Sequence, residues 1–178
     1  NKNVLYYPPS ENLPYASINK SKETEYSQLS VISKIIKKER QDINIIITTE
    51  RSLQPHLIKE NIFKDNIFSL FKGRELDIKE LTTKLVLLGY NKVDLTSQEG
   101  AWSRRGEIID IYPVNNELPI RIEYFDNIIE KIREYDPVTQ RTLDSINKVK
   151  IVQVGFNLLI KKKLENLSGK GTFNSEEI

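Results

Sequence analysis

Hydrophobic and polar positions in the first third of the chain follow a strand, then a helix, then a second strand. Residues 4–7 form a short apolar run that ends at two prolines, which predicts a strand. Apolar residues recur at helical spacing over residues 22–40. Residues 43–49 are largely β-branched, a pattern typical of a strand covered on both faces in a parallel sheet. The order predicts a βαβ unit.

The pattern changes near residue 64, where a predicted strand over residues 66–71 precedes a predicted helix over residues 77–88. Asp77 is placed to cap that helix and Gly89 to end it, because aspartate accepts hydrogen bonds from free amides and glycine tolerates positive φ. A strand-rich run follows and predicts an antiparallel meander with one helix packed on it. Its predicted strands cover residues 90–96, 101–112, 120–126 and 128–135.

The strand over residues 120–126 alternates strictly between apolar and polar positions. Successive side chains of a strand point to opposite faces, so Arg121, Glu123 and Phe125 share one face and the residues between them share the other. The short joint at Asp126 predicts a hairpin turn, since aspartate and asparagine tolerate positive φ.

These elements predict an α/β chain with two parts. Residues 1–63 are expected to form a partial domain on a parallel sheet, with a small α+β domain over residues 64–152, built on an antiparallel sheet, inserted in it. A strand over residues 148–154 is expected to return to the first sheet. Residues 153–178 complete the return, with a helix over residues 156–167 and a tail rich in Gly, Ser and Asn.

Composition indicates a globular protein, with 29% charged and 38% hydrophobic residues among 178. The net charge is +2, and residues 64–152 carry fourteen basic and fifteen acidic groups. A dedicated nucleic-acid domain usually has a strong basic excess on one segment. Any positive patch must therefore be assembled by folding.

Localisation is indicated by what the composition lacks. No apolar run approaches the roughly 18 residues that span a membrane, and there is no cysteine. We expect a cytoplasmic protein with no membrane partner. The chain also has no methionine, so we expect an internal segment of a longer protein.

The sequence offers little for catalysis or for holding a cofactor or metal. It has no phosphate-binding loop of the G-x-x-x-x-G-K-[ST] type. His56 is the one histidine, with no cysteine to share a metal. Glu107 and Asp110 lie at odd separation in a predicted strand, which places them on opposite faces. We expect no cofactor and no enzymatic activity from this chain.

Residues 99–143 read EGAWSRRGEIIDIYPVNNELPIRIEYFDNIIEKIREYDPVTQRTL. This stretch resembles the UvrB-homology module, which the excision-repair protein UvrB shares with transcription-repair coupling factors. Its ending, DPVTQRTL, is particularly similar to coupling factors. The resemblance extends upstream through GYNKVDLTSQEG and YYPPSENLPY, and the long tyrosine-rich hairpin of UvrB is missing, which favours the coupling-factor family.

The resemblance implies an architecture and a function. The first part would be a degenerate motor-like domain that has lost its nucleotide site, and the inserted domain would bind UvrA. In this family a C-terminal domain is thought to mask the UvrA-binding surface until the protein engages stalled RNA polymerase. Binding of ATP, DNA and RNA polymerase would belong to domains outside this chain.

The resemblance also implies three partner-binding residues: Arg105 before the glycine, Arg121 in P-x-R-I-E, and Phe125. An arginine and a phenyl ring four apart on one strand face are unusual in a core and typical of a binding hot spot. Arg104 is predicted on the face opposite Arg105. The alternative is that Arg121 and Glu123 form a solvated face while Phe125 is tucked under a loop.

Two other functions stay open. A direct nucleic-acid binder would use Arg104, Arg105, Arg121 and the lysine run 161–163, and its binding would weaken steeply with salt. A helicase-type enzyme, in effect UvrB itself, would need the phosphate loop that the sequence lacks. Trp102, the one tryptophan, is expected in the core, with a contact to a partner as the alternative.

Overall fold

The structure is a computed structural model that describes residues 3–9, 22–36, 44–53 and 60–156. Several predictions lie outside these residues: His56, the lysine run 161–163, the helix over residues 156–167 beyond Phe156, and the tail. Within the described ranges the fold is mixed α/β, with more strand than helix and with both parallel and antiparallel pairing.

The described part of the chain contains three α-helices, ten strands and one short 3₁₀ helix, Glu50–Leu53. The helices are α1 (Lys22–Ile36), α2 (Glu60–Lys64) and α3 (Ile78–Leu87). The strands are β1 (Asn3–Tyr6), β2 (Asn44–Ile47), β3 (Phe68–Phe71), β4 (Asn91–Lys92), β5 (Ala101–Arg105), β6 (Ile108–Ile111), β7 (Ile120–Phe125), β8 (Ile128–Tyr135), β9 (Thr142–Ser145) and β10 (Lys148–Ile151).

Strands β1 and β2 pair in parallel, with Leu5 opposite Ile46, as the βαβ pattern predicts. The prediction that β2 is covered on both faces is wrong. Ile45, Ile46 and Ile47 are 43%, 45% and 53% exposed. The sheet to which β2 belongs has two strands within the described ranges, and Ile46 borders an open apolar cavity of about 340 Å³ beside α1.

The central sheet has six strands in the order β4-β5-β6-β7-β8-β9, antiparallel except for the β4–β5 pair. The predicted strand over residues 90–96 is reduced to Asn91–Lys92. The predicted strand over residues 101–112 is instead a hairpin of β5 and β6. Gly106 lies in its turn with φ +62°, a conformation that glycine adopts without steric cost.

Strands β7 and β8 form the hairpin that the sequence predicts. Asp126 has φ +52° in the turn, and Phe125 lies opposite Ile128. The β7 side chains alternate as predicted, with those of Ile120 and Ile122 fully buried. A register irregularity between Glu123 and Tyr124 is accommodated on β8 by one additional residue, so β7 itself stays regular.

Helix α3 packs on the inner face of the central sheet. Leu81 and Leu85 of the helix and Ile109, Ile122 and Ile132 of the sheet are at most 1% exposed and belong to one cluster. The helix begins and ends where predicted: the Asp77 carboxylate accepts from the Lys79 amide at 2.5 Å, and Gly89 has φ +86°. The covered inner face leaves the opposite face of the sheet as the candidate site.

Strand β10 corrects another expectation. It does not return to the first sheet but pairs antiparallel with β3, placing Val149 opposite Leu70. Both side chains are buried in the cluster that also contains Leu81 and Leu85 of α3, so this pairing contributes to the same core as the central sheet. A second cluster joins α1 to the chain after β10, through Leu29 and Val152 among others.

Candidate functional site

The outer face of the central sheet, on the side away from α3, carries the polar residues of β5 to β8. Sheet register sets Ser103, Asp110, Arg121 and Arg133 opposite one another on four consecutive strands. Cross-strand partners share a face, so these side chains lie on one surface. We call this surface the outer face; Phe125 lies on it two positions beyond Glu123 on β7.

Asp110 is the centre of this face. Its carboxylate is 1% exposed and accepts two hydrogen bonds from Arg121, Nε to Oδ1 at 2.7 Å and Nη2 to Oδ2 at 2.9 Å. Arg105 donates from Nη2 to the same Oδ2 at 2.9 Å. Charge-assisted bonds of this kind satisfy a carboxylate that could not otherwise be buried. One β6 carboxylate therefore joins arginines of β5 and β7.

Arg121 is enclosed by protein on several sides. Its guanidinium carbon lies 4.6 Å from the ring centroid of Tyr135, a cation–π contact. Its nitrogens are also 3.4 Å from the backbone and side-chain oxygens of Gln140. The hydrogen bond to Asp110 raises the pKa of Arg121. With its side chain 15% exposed, this arginine is not simply part of a solvated face.

The turn after β8 holds Gln140 in place. Asp136 accepts from the backbone amides of Val138 at 2.9 Å and Thr139 at 2.7 Å, and the Thr139 bond chiefly lowers the pKa of Asp136. The Gln140 amide donates to the Asp136 carbonyl at 2.8 Å, and Gln140 has φ +61°. The DPVTQ segment is thus a tight turn that sets its glutamine against Arg121.

A buried polar chain supports the Arg121 site. The Tyr135 hydroxyl donates to the Thr96 carbonyl at 2.9 Å, and the Thr96 hydroxyl donates to the Ser103 hydroxyl at 3.0 Å. Burial raises the pKa of Tyr135, so the phenol stays a neutral donor. The loop before β5 is thereby attached to the sheet beside the arginine.

Glu123 is a second shared carboxylate on the outer face. Arg133 approaches it to 3.2 Å and Lys131 to 4.0 Å, and Lys131 also lies 3.6 Å from Glu130. Asp110 of β6 and Glu123 of β7 are therefore each shared by two basic side chains. The ion pairs of this face join four basic side chains to three carboxylates, so the charges of the outer face are largely paired with one another.

The apolar part of the outer face lies at the tip of the β7–β8 hairpin. Phe125 is 69% exposed and its cross-strand partner Ile128 is 46% exposed. The tip is held from below, because the Leu76 amide donates to the Asn127 carbonyl at 2.8 Å. Phe125 is therefore not tucked under a loop.

The three predicted residues occupy two parts of one surface. Arg105 and Arg121 meet on Asp110, whereas Phe125 lies four residues further along β7, about 13 Å at strand rise. Arg104 turns away and donates to the Gly106 carbonyl at 2.9 Å. Trp102, at 4% exposure, lies in the core as expected.

Sequence reasoning missed three residues of this surface: Asp110, Gln140 and Ile128. On the single strand predicted over residues 101–112, the position of Asp110 suggests only the role of a catalytic acid. The turn at Gly106 would have placed it opposite Ser103, beside Arg105. Ile128 follows from the hairpin register, and nothing in the local pattern of Gln140 indicates its contact with Arg121.

The described ranges contain neither a candidate metal site nor a candidate membrane-spanning helix. No group of three or more His, Cys, Asp or Glu side chains among residues 3–9, 22–36, 44–53 and 60–156 could hold a metal ion. In those same ranges, no helix has the length and apolarity needed to cross a membrane.

The part of the chain that carries the outer face matches a family of known proteins. A family model described as the UvrB interaction domain matches residues 68–154. A transcription-repair-coupling factor of Bacillus subtilis is 29% identical over 150 residues, 84% of this chain and 12% of its own length. Those of Escherichia coli and Staphylococcus epidermidis are 28% and 36% identical, over 80% and 62% of this chain. The chain spans 9–12% of the length of these relatives.

Proposed function

We propose that this chain, whose residues 68–154 match the family model described as the UvrB interaction domain, recruits UvrA to a site of transcription-coupled nucleotide excision repair. The outer face is the docking surface, and Arg105, Arg121 and Phe125 are its partner-binding residues. The chain acts as an interaction module and supplies no chemistry of its own.

The observation that carries this proposal is the exposure of Phe125 on the same sheet face as Arg105 and Arg121. Phe125, 69% exposed, and its cross-strand partner Ile128, 46% exposed, form one continuous apolar patch, and exposed patches of this kind mark sites of interaction with a partner. Arginine and aromatic side chains are enriched among residues that dominate binding energy. The proposed partner surface offers a pocket for the ring and carboxylates for the arginines.

A protein partner fits the outer face better than nucleic acid does. The carboxylate of Glu123 lies between Lys131 and Arg133 on this face, where its charge would oppose a phosphate backbone. The exposed apolar pair at the hairpin tip has no role in phosphate contact.

The same proposal extends to the longer protein. In a parent resembling the coupling factors, residues 1–63 would belong to a degenerate motor-like domain. ATP-driven movement on DNA and contact with RNA polymerase would be supplied by other segments. A C-terminal domain would mask the outer face until the polymerase is engaged.

The test is binding of this chain to purified UvrA by calorimetry. Phe125→Ala and Arg105→Ala are each expected to cost about 2 kcal/mol, the usual cost of removing a binding hot spot. Leu87→Ala is the matched control, because Leu87 is 70% exposed but lies on α3. No binding by the wild type would refute the function, and equal affinity of all variants would refute the assigned residues.

A parallel titration with duplex DNA tests the nucleic-acid alternative. The proposal expects no specific DNA binding at 150 mM salt, a concentration near the physiological ionic strength. DNA binding that weakens steeply with salt and is lost in Arg105→Ala would favour the alternative instead.

A further inference from the structure

One carboxylate on the outer face is buried far more deeply than the groups it contacts. Asp110 is 1% exposed, whereas the Arg105 side chain is 56% exposed. Aspartate is almost never fully buried unless it is paired. The sheet therefore maintains a desolvated anion directly beneath a surface whose proposed contacts are cationic.

We propose that Asp110 is a positioning residue for the docking surface: its carboxylate holds the guanidinium groups of Arg105 and Arg121 in the orientation that meets the partner. This inference rests on the proposed function, since it concerns the same surface. Asp110 itself does not touch the partner.

The bonding pattern supports positioning. Arg121 uses Nε and Nη2 on the two oxygens of Asp110, an arrangement that fixes the plane of the guanidinium. Arg105 reaches Oδ2 with one nitrogen while most of its side chain faces solvent. Two nitrogens of Arg121 are thus held by Asp110. Arg105 is held through one nitrogen, and most of its side chain stays accessible to a partner.

The Asp110 carboxylate also offsets the repulsion between the guanidinium groups of Arg105 and Arg121. Nη2 of Arg105 and Nη2 of Arg121 each lie 2.9 Å from the same Oδ2 atom. Two guanidinium groups that converge in this way repel each other without an anion between them. Binding would then have to order two flexible side chains, a cost that a preorganised surface avoids.

A positioning role and simple electrostatics predict opposite changes in the affinity for UvrA when Asp110 is substituted. Asp110→Asn removes a negative charge, so attraction between the outer face and an acidic partner should increase if charge alone matters. If Asp110 positions the arginines, affinity for UvrA falls about tenfold despite the extra positive charge, because two side chains are released. Glu123→Gln is the matched control, since it removes the same charge from the same face and releases Lys131 and Arg133, which are not assigned to the partner.

The decisive measurement compares wild type, Asp110→Asn and Glu123→Gln in calorimetry with UvrA, after thermal unfolding has shown that each is folded. Weaker binding by Asp110→Asn alone supports the proposal. Unchanged or tighter binding by Asp110→Asn overturns it. Arg121→Lys is the second variant if Asp110→Asn does not fold: it keeps the charge, loses the two-bond contact and is expected to bind about tenfold more weakly. Wild-type affinity in Arg121→Lys would also overturn the proposal.

A readout without UvrA separates this inference from the proposed function. Nuclear magnetic resonance of the arginine Nε–H groups should show Arg121 ordered and protected from exchange in the wild type, and averaged in Asp110→Asn. Identical signals in the two proteins would overturn positioning even if UvrA binds. If the wild type fails to bind UvrA, the proposed function fails while this measurement still tests Asp110.

Discussion

Phe125 and Ile128 are cross-strand partners at the tip of the β7–β8 hairpin, and both remain exposed. Cross-strand pairs of an aromatic and a β-branched residue normally stabilise a sheet by covering each other. Here the pair forms a small apolar surface at the end of the outer face, so its two members are expected to act together in binding.

Substitution of Ile128 tests that expectation. Ile128→Ala should weaken UvrA binding by about 1 kcal/mol, because the isoleucine extends the apolar contact without the large area of the phenyl ring. Calorimetry would measure the change, with Val86→Ala as the control, since Val86 is 60% exposed on α3. Equal affinity of Ile128→Ala and wild type would confine the apolar contact to Phe125.

Two buried tyrosines on neighbouring strands differ in whether their hydroxyl groups form a hydrogen bond. Removal of the two hydroxyl groups should therefore have different effects on the free energy of unfolding. The Tyr135 hydroxyl donates to Thr96, whereas the Tyr124 hydroxyl has no hydrogen-bond partner among the described residues. Tyr135→Phe should lower the free energy of unfolding by about 1–2 kcal/mol, and Tyr124→Phe should leave it unchanged or raise it. Urea denaturation would compare them, and equal losses would contradict the assigned bonding.

Glycines at positive φ provide a second matched pair. Gly100 and Gly106 have φ +75° and +62°, so alanine costs about 1–2 kcal/mol of unfolding free energy at either. A Cβ at Gly100 would also lie 2.7 Å from the Tyr26 hydroxyl oxygen, whereas one at Gly106 meets nothing within 4 Å. Gly100→Ala should therefore have the lower urea midpoint. The reverse order would show that the Tyr26 contact is not retained.

The turn at Asp136 should give a pH-dependent stability. Backbone hydrogen bonds lower the pKa of Asp136 below its ordinary value of 3.8. A lowered folded-state pKa stabilises the fold above pH 3.8, and this contribution is lost as the pH falls through the folded-state pKa. The difference in unfolding free energy between wild type and Asp136→Ala should be constant near neutral pH and shrink in acid.

Urea titrations at several pH values would measure that difference. Asp144→Ala, at another exposed aspartate, is the control for a general effect of removing a negative charge. A gap between wild type and Asp136→Ala that is as large at pH 3 as at pH 7 would show that the carboxylate does not hold the turn.

Local pattern was enough to predict much of the fold. The alternation along β7, the hairpin at Asp126 and the caps of α3 all depend on neighbours within a few residues, and the structure contains each of them. The faces of Arg121 and Phe125 follow from the same alternation. Roles in binding UvrA stay predictions.

Tertiary structure decided what lies around those residues. The turn at Gly106 and the register of β5, β6 and β7 bring Arg105 and Arg121 onto the carboxylate of Asp110, although the two arginines are sixteen positions apart. The pairing of β10 with β3 likewise joins segments far apart in the chain. Periodicity reports which way a side chain faces, but register depends on contacts between distant segments, and a local pattern contains no information about those contacts.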